Sequence, residues 1–168
     1  MGWTVEIQKF SPAHRELHRK IYTHPEMMKD MNGPMNPEAL QKSFERMRDL
    51  SDYKTRGDFV ITLQPGKIPV GIVAFVQTEF EGEKYFELGW MVLPEFQNKG
   101  VASQGARLLL NFMKEEKLEP LPLIAFTAGT KNASERICQK LNLEYVKPVV
   151  RKYFECEFPC HQWASKRA

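Results

Sequence analysis

One stretch constrains the whole chain: "EFQNKGVASQGARLLLNF", residues 95–112. It closes as a strong amphipathic helix, with Leu108, Leu109, Phe112 and Met113 spaced three and four apart. It opens with Gly100, Ala102 and Gly105 crowded together. Glycine weakens a helix interior by about 1 kcal/mol relative to alanine. A helix that accepts this brings its backbone close to something else. The first N–H groups of a helix lack internal partners and sit at the positive end of its dipole, so an anion is their natural ligand. Asn98, Lys99, Gly100, Val101, Ala102 and Ser103 offer such amides, with little side chain in the way at 100 and 102. The stretch lacks the Gly-Lys-Ser/Thr ending of a Walker loop, and Gly100 and Gly105 are wrongly spaced for the dinucleotide fingerprint. Close packing of helix on strand accounts for the small residues equally well, and both readings stand at this point.

The surrounding pattern predicts an alternation of strands and helices. "TVEIQKF" alternates as a strand. "SPAHRELHRKIYTH" opens with a Ser-Pro helix entry and repeats Leu17, Ile21 and Tyr22 at helical spacing. "PEMMKDMNGPMNP" reads as a loop or broken helix, its Met27, Met28, Met31 and Met35 forming an adaptable apolar surface. "PEALQKSFERMRDL" is a second helix. "DFVITLQ" and "IPVGIVAFVQT" form a hairpin around "PGK", and "KYFELGWMVL" follows as the next strand. After the helix of the opening stretch come a buried strand "LPLIAFT" and a helix "NASERICQKLN". "EYVKPVVRKYFECEF" is strand-like, with a turn near Pro148, and the tail beyond is short and polar. The expected fold is α/β, a single domain over residues 1–168 with its core at about 5–155: a mixed, mostly antiparallel sheet flanked by helices, its later strands able to pair in parallel through a helical crossover.

Bulk properties narrow the function classes. A net charge of +3 tolerates a phosphate-bearing ligand but lacks the heavy basic imprint of a nucleic-acid binder. No apolar run reaches the length of a membrane span, and the start has no secretory pattern; Glu6 spoils the myristoylation pattern that Gly2 suggests. Three cysteines, Cys138, Cys156 and Cys160, are few and odd in number, which fits reduced thiols in the cytoplasm. Cys156, Cys160 and His161 have no second paired set at zinc-like spacing, so no metal is expected. His14 and His18 carry no interpretable signal.

The segment "ELGWMVLPEFQNKGVA" resembles the core motif of the GNAT (Gcn5-related N-acetyltransferase) superfamily, Gln/Arg-x-x-Gly-x-Gly/Ala, met here by Gln97, Gly100 and Ala102. The lead-in looks most like the RimJ/RimL branch, whose characterised members acetylate protein N-termini. "SERICQKLNLEYV" is similar to that branch's later helix, through Ser134, Arg136, Ile137, Lys140, Leu141, Asn142 and Leu143. Two departures stand out: Lys131 occupies the place of the family's asparagine, with Asn132 one position late, and Asn142-Leu143 replaces Gly-Phe.

The resemblance implies acetyl-CoA as co-substrate and an amine as acceptor. It implies a CoA pyrophosphate on the amides of residues 98–103, with Lys99 or Arg107 as outer partners. The pantetheine arm would lie beside Met91, Val92 and Leu93, where the strand splays from "LPLIAFT", and a backbone N–H near Met91 would meet the thioester oxygen. Gly89 is compatible with a bulge there. Glu87, sharing a strand face with Gly89 and Met91, is the candidate base, against the alternative of a salt-bridged or solvent-facing glutamate. Cys138 stands where many members place a tyrosine acid, and packing is its expected role. Ser134 is the candidate acid, with a competing place in the first turn of a helix capped by Asn132 and Glu135; Asn132 is also a candidate pantetheine contact. Tyr22, His24 and Met28 would line the acceptor side.

The leading expectation is therefore an N-acetyltransferase acting on a protein N-terminus or a small amine. Its alternative is a non-catalytic acyl-CoA-binding regulatory module on the same fold. Oligomeric state is not readable from the sequence, and a homodimer stays open.

Overall fold

The computed structural model describes residues 2–48, 53–128, 132–153 and 156–166. In chain order the elements are β1 (Thr4–Lys9), α1 (Arg15–Tyr22), α2 (Pro25–Met28), α3 (Pro37–Arg48), β2 (Arg56–Gln64), β3 (Ile68–Phe80), β4 (Glu83–Val92), α4 (Val101–Glu115), β5 (Leu123–Ala128), α5 (Asn132–Lys140), β6 (Glu144–Tyr153) and β7 (Cys156–Ala164). The strands form one sheet in the order β1-β2-β3-β4-β5-β7-β6. Every neighbouring pair is antiparallel except β4 and β5, which run parallel. Parallel neighbours need a long crossover, and α4 supplies it. The mixed sheet flanked by helices is the α/β architecture that the element order predicts.

Alternation along β4 sorts its side chains to two cores. Phe86, Leu88 and Val92 join Ile61, Leu63, Leu109, Met113, Cys138 and Trp163 beneath α4 and α5. On the opposite face Ile72 and Leu93 meet Leu17, Ile21, Met27, Phe44 and Met47 from α1, α2 and α3. The stripe read at Leu108, Leu109, Phe112 and Met113 is recognisable in α4, where Leu109 and Met113 are buried and Val101 and Ala106 extend the buried face. The helical entry at Ser11-Pro12 is present as a 3-10 turn, capped by Ser11 Oγ accepting from the Ala13 amide at 3.3 Å.

Gly105 answers half of the question raised by its crowded neighbourhood. A Cβ on Gly105 would stand 2.7 Å from Ile61 Cδ1. Its smallness serves the seating of α4 on β2. Gly100 has a different reason, since its φ is +76° and L side chains rarely adopt that conformation.

Four expectations need correction. No turn forms near Pro148; β6 runs through it to Tyr153. Because β6 is the edge strand, a residue without an N–H is tolerated there. The polar tail is instead largely strand β7, inserted between β5 and β6, with Cys160, Gln162 and Trp163 turned inward. Gly89 is not bulged: it pairs in regular register with Ala74, and register shifts lie instead between Ile61 and Thr62 and between Tyr145 and Lys147. Met27 and Met28 are core residues of the short α2 rather than an adaptable surface.

Candidate active site

β4 and β5 begin as neighbours and then part. Only Phe86↔Leu123 and Glu87↔Ile124 are paired. Beyond them β4 continues to Val92 along β3 alone, and β5 continues to Ala128 along β7 alone. The parting leaves a wedge-shaped gap through the sheet. Backbone parity decides what lines it. Phe86 donates its amide to Pro122 O ahead of β5, whereas Leu93 donates to Val70 O on β3. With no register shift between them, the backbone groups of Leu88, Trp90 and Val92 turn to the gap, and those of Gly89 and Met91 turn to β3. The amide near Met91 that faces the gap therefore belongs to Trp90 or Val92.

The gap opens toward the start of α4. Gly100 caps that helix in a left-handed conformation, and Asn98 two residues earlier also has positive φ (61°). Among the described residues no side-chain cap bonds the helix start, and its first turn holds no acidic residue. Gln97 folds back so that its Nε2 donates to Val92 O at 2.8 Å, tying the turn to the end of β4. Ser103 Oγ donates to Gly100 O at 3.1 Å, which keeps its hydroxyl out of the way, and Val101 is buried beneath the turn. Lys99 lies outside, with Nζ 3.0 Å from Glu95 O and over the Trp3 ring. Arg107 is turned elsewhere: its Nη2 donates to Lys140 O at the end of α5. Bare amides at a positively polarised helix start are a ready anion seat.

On the α1–α3 face of β4, Glu87 sits at the last β4–β5 pair, and its Oε1 accepts from Arg151 Nη2 at 3.0 Å. The salt-bridged alternative for Glu87 is thus the geometry present, and it leaves the carboxylate beside the gap. A Cβ built on Gly89 would meet nothing within 4 Å, so the strand face next to Glu87 is open. On the other face Ser134, in the first turn of α5, accepts a hydrogen bond from Trp90 Nε1 at 3.4 Å. Asn132 begins α5, and its side chain lies outside the described residues.

The remaining candidates have structural employment. Cys138 is fully buried in the core beneath α4 and α5, and burial, aided by Glu135, pushes its thiol up to about 12; packing is its role, and it has no exposed surface from which to meet a departing thiolate. Met28 is fully buried and lines no open surface. His24 caps α2, its ring Nδ1 accepting from the Glu26 and Met27 amides. Burial holds the Tyr22 phenol up at about 12, against the His18 ring. Sequence reasoning missed Arg151 and Trp90. Trp90 sits inside the quoted motif and alternates onto the α5 face. Arg151 had no local signal, because it acts across the sheet from an edge strand.

Residues 4–144 match the family described as Acetyltransferase (GNAT) domain. A curated relative, the uncharacterized N-acetyltransferase YnaD of Bacillus subtilis (strain 168), is 30% identical over 95 residues, or 54% of each chain. The chain thus spans about half the length of that relative. An acetyltransferase (GNAT family) from Bacillus anthracis superposes with a TM-score of 0.74 at 23% identity, over 95% of this chain and 93% of that one. RimL, a ribosomal L7/L12 alpha-N-protein acetyltransferase solved with coenzyme A, superposes with a TM-score of 0.76 at 15% identity, over 96% and 93%. At those identities the structural likenesses speak for the fold. The gap, the uncapped helix start and the family match across most of the sequence lead to one statement: this chain belongs to the GNAT acetyltransferase family.

Proposed function

We propose that the chain is an acetyl-CoA-dependent N-acetyltransferase, moving the acetyl group to a primary amine by direct attack in a ternary complex. The observation that carries this reading is the two-pair limit of β4 and β5 beside an uncapped helix start. Residues 98–103 offer amides to the pyrophosphate, and Lys99 adds charge at the rim. Leu88, Trp90 and Val92 offer strand-like hydrogen bonds to the pantetheine arm, with Met91 and Leu93 as the flanking strand residues. The Trp90 or Val92 N–H is aimed at the thioester oxygen, where negative charge develops.

The amine must be neutral to attack. At pH 7 losing a proton costs roughly 1 kcal/mol for an α-amino group and about 4–5 for a lysine. Glu87 takes that proton, directly or through one water. The new N–C bond forms as the C–S bond breaks, and the electron pair leaves with sulfur. Ser134 Oγ already accepts from Trp90, so its own hydrogen can hydrogen-bond the departing thiolate, which takes its proton from solvent.

Within the family we place the chain beside the RimJ/RimL branch on its lead-in and "SERICQKLNLEYV" residues, and in the cytoplasm on its three free thiols. The acceptor is a protein N-terminus or a small amine. A panel of N-terminal peptides and small amines, read by released CoA thiol, tests the proposal. Turnover with at least one member is expected. Acetyl-CoA binding with no turnover on any of them contradicts it.

A further inference from the structure

Sheet order separates Glu87 from Arg151 by two whole strands, since β5 and β7 lie between β4 and β6. Yet their side chains meet at 3.0 Å, and both are largely shielded, at 16% and 18% exposure. The edge strand therefore curls over the Glu87 face. A second tie agrees with this: Lys147 Nζ on β6 reaches Glu81 Oε1, at the β3–β4 turn, at 2.6 Å. The Arg151 guanidinium lies 4.0 Å over the Phe126 ring of β5 and 5.4 Å from the Phe80 ring of β3, and those two rings pack edge to face at 5.1 Å. Cys160 completes the surroundings from β7; burial raises its thiol, with Arg151 opposing and Glu87 adding to the rise.

A surface ion pair between two long side chains wanders and is screened. This one is built differently. Phe126 and Phe80 flank the guanidinium on their ring faces, which restricts where the fork that meets Glu87 can sit. Phe126 is also among the β5 residues that continue after β4 has parted. The contact thus refers the Glu87 carboxylate to the far wall of the gap.

We infer that Arg151 is a positioning residue for the acetyl transfer: stacked on Phe126, it holds the Glu87 carboxylate at the mouth of the β4–β5 gap, aimed at the incoming amine. The inference rests on the base role proposed for Glu87. A glutamate over an open strand face meets the amine in only some of its rotamers. The Arg151 contact narrows that set from the β6 side of the sheet.

The test is steady-state transfer with the best amine of the panel, comparing Glu87→Gln, Arg151→Met, Arg151→Lys and the double variant Glu87→Gln/Arg151→Met. Glu87→Gln is expected to lower kcat ~100-fold, the usual scale of a general base. Arg151→Met is expected to lower kcat at least ~10-fold at unchanged KM for acetyl-CoA, and the double variant to be no slower than Glu87→Gln alone, because residues acting as a unit are not additive. Arg151→Lys keeps the buried charge paired and so keeps the fold; lacking the planar fork, it is expected to recover only part of the rate. Either Arg151 variant at wild-type kcat, or a double variant that multiplies the two losses, overturns the inference while Glu87→Gln remains slow. Glu87→Gln at wild-type rate fails the base role itself, and the positioning role with it.

Discussion

Trp90 Nε1 donates a hydrogen bond to Ser134 Oγ at 3.4 Å, joining β4 to the first turn of α5 where β4 and β5 have separated. The contact fixes the serine hydroxyl and leaves its proton free for another acceptor. Ser134→Ala is expected to lower kcat about 10-fold, the worth of one hydrogen bond to a developing charge, with little change in acetyl-CoA affinity. Trp90→Phe frees the serine and should produce a smaller loss of the same kind. Rate constants for the two variants, beside calorimetric Kd values, check both statements.

Gly71 is where the back of the site is most tightly packed. A Cβ there would stand 2.6 Å from Met91 O, a backbone atom, and 3.0 Å from Val92 Cγ2. The neighbour cannot swing aside as a side-chain end does, so β4 itself has to move. Gly71→Ala is expected to destabilise by about 1–3 kcal/mol and to weaken acetyl-CoA binding, because the displaced residues flank the gap. Urea titration and calorimetry on the same sample check it. Gly105→Ala meets the side chain of Ile61, Cδ1 at 2.7 Å and Cγ1 at 3.0 Å, away from the gap, and should affect stability without affecting affinity.

Lys99 stands 5.4 Å from the centre of the Trp3 ring. A pyrophosphate seated on the α4 amides draws Lys99 inward and away from the indole. Addition of acetyl-CoA is therefore expected to produce a saturable change in tryptophan emission, of which Trp3→Phe removes the part that arises at this contact and leaves the part from Trp90. Lys99→Met should weaken binding by a few-fold only, since an exposed charge at low dielectric contrast contributes roughly 0.2–1 kcal/mol.

Stability should fall in acid chiefly through His18, with His14, also lowered by burial, adding in the same direction. His18 is almost wholly buried, and desolvation, with Arg46 and Arg15 adding to it, lowers its pKa from 6.5 to about 4. A depressed histidine pKa means the unfolded chain binds the proton more readily. The contribution is complete above about 6.5 and disappears as pH falls toward about 4, amounting to about 2–4 kcal/mol over that window. The Ser43 hydrogen bond at 2.9 Å keeps the neutral ring satisfied. His18→Gln is expected to flatten this part of the profile of Tm against pH.

The fold was legible where periodicity is strong. β1 and α4 follow alternation and the three-four spacing, while β2 and β3 stand out as short apolar runs because the sheet is covered on both faces there. The motif around Gln97, Gly100 and Ala102 was legible because its demands are local: a positive φ, an uncapped helix start, a carbonyl held by Gln97. Pro148 misled because a local rule yields to position in the sheet, and an edge strand has no partner for the missing N–H. β7 was hidden because its inward residues include Cys160 and Gln162, which read as a polar tail until β5 and β6 flank them. The Glu87–Arg151 contact was illegible in principle, joining residues 64 positions apart through the curl of the sheet.

The account rests on amides that lie uncovered at the start of α4. Calorimetric titration of acetyl-CoA into the wild-type chain and into Ala102→Asp tests it most directly. Aspartate suits the first turn of a helix, so folding should persist by circular dichroism, while its carboxylate occupies the anion seat. Saturable one-to-one binding by the wild type, weakened at least ~10-fold in the variant, is the predicted result. No binding by the wild type, or equal affinity in the two proteins, contradicts the account.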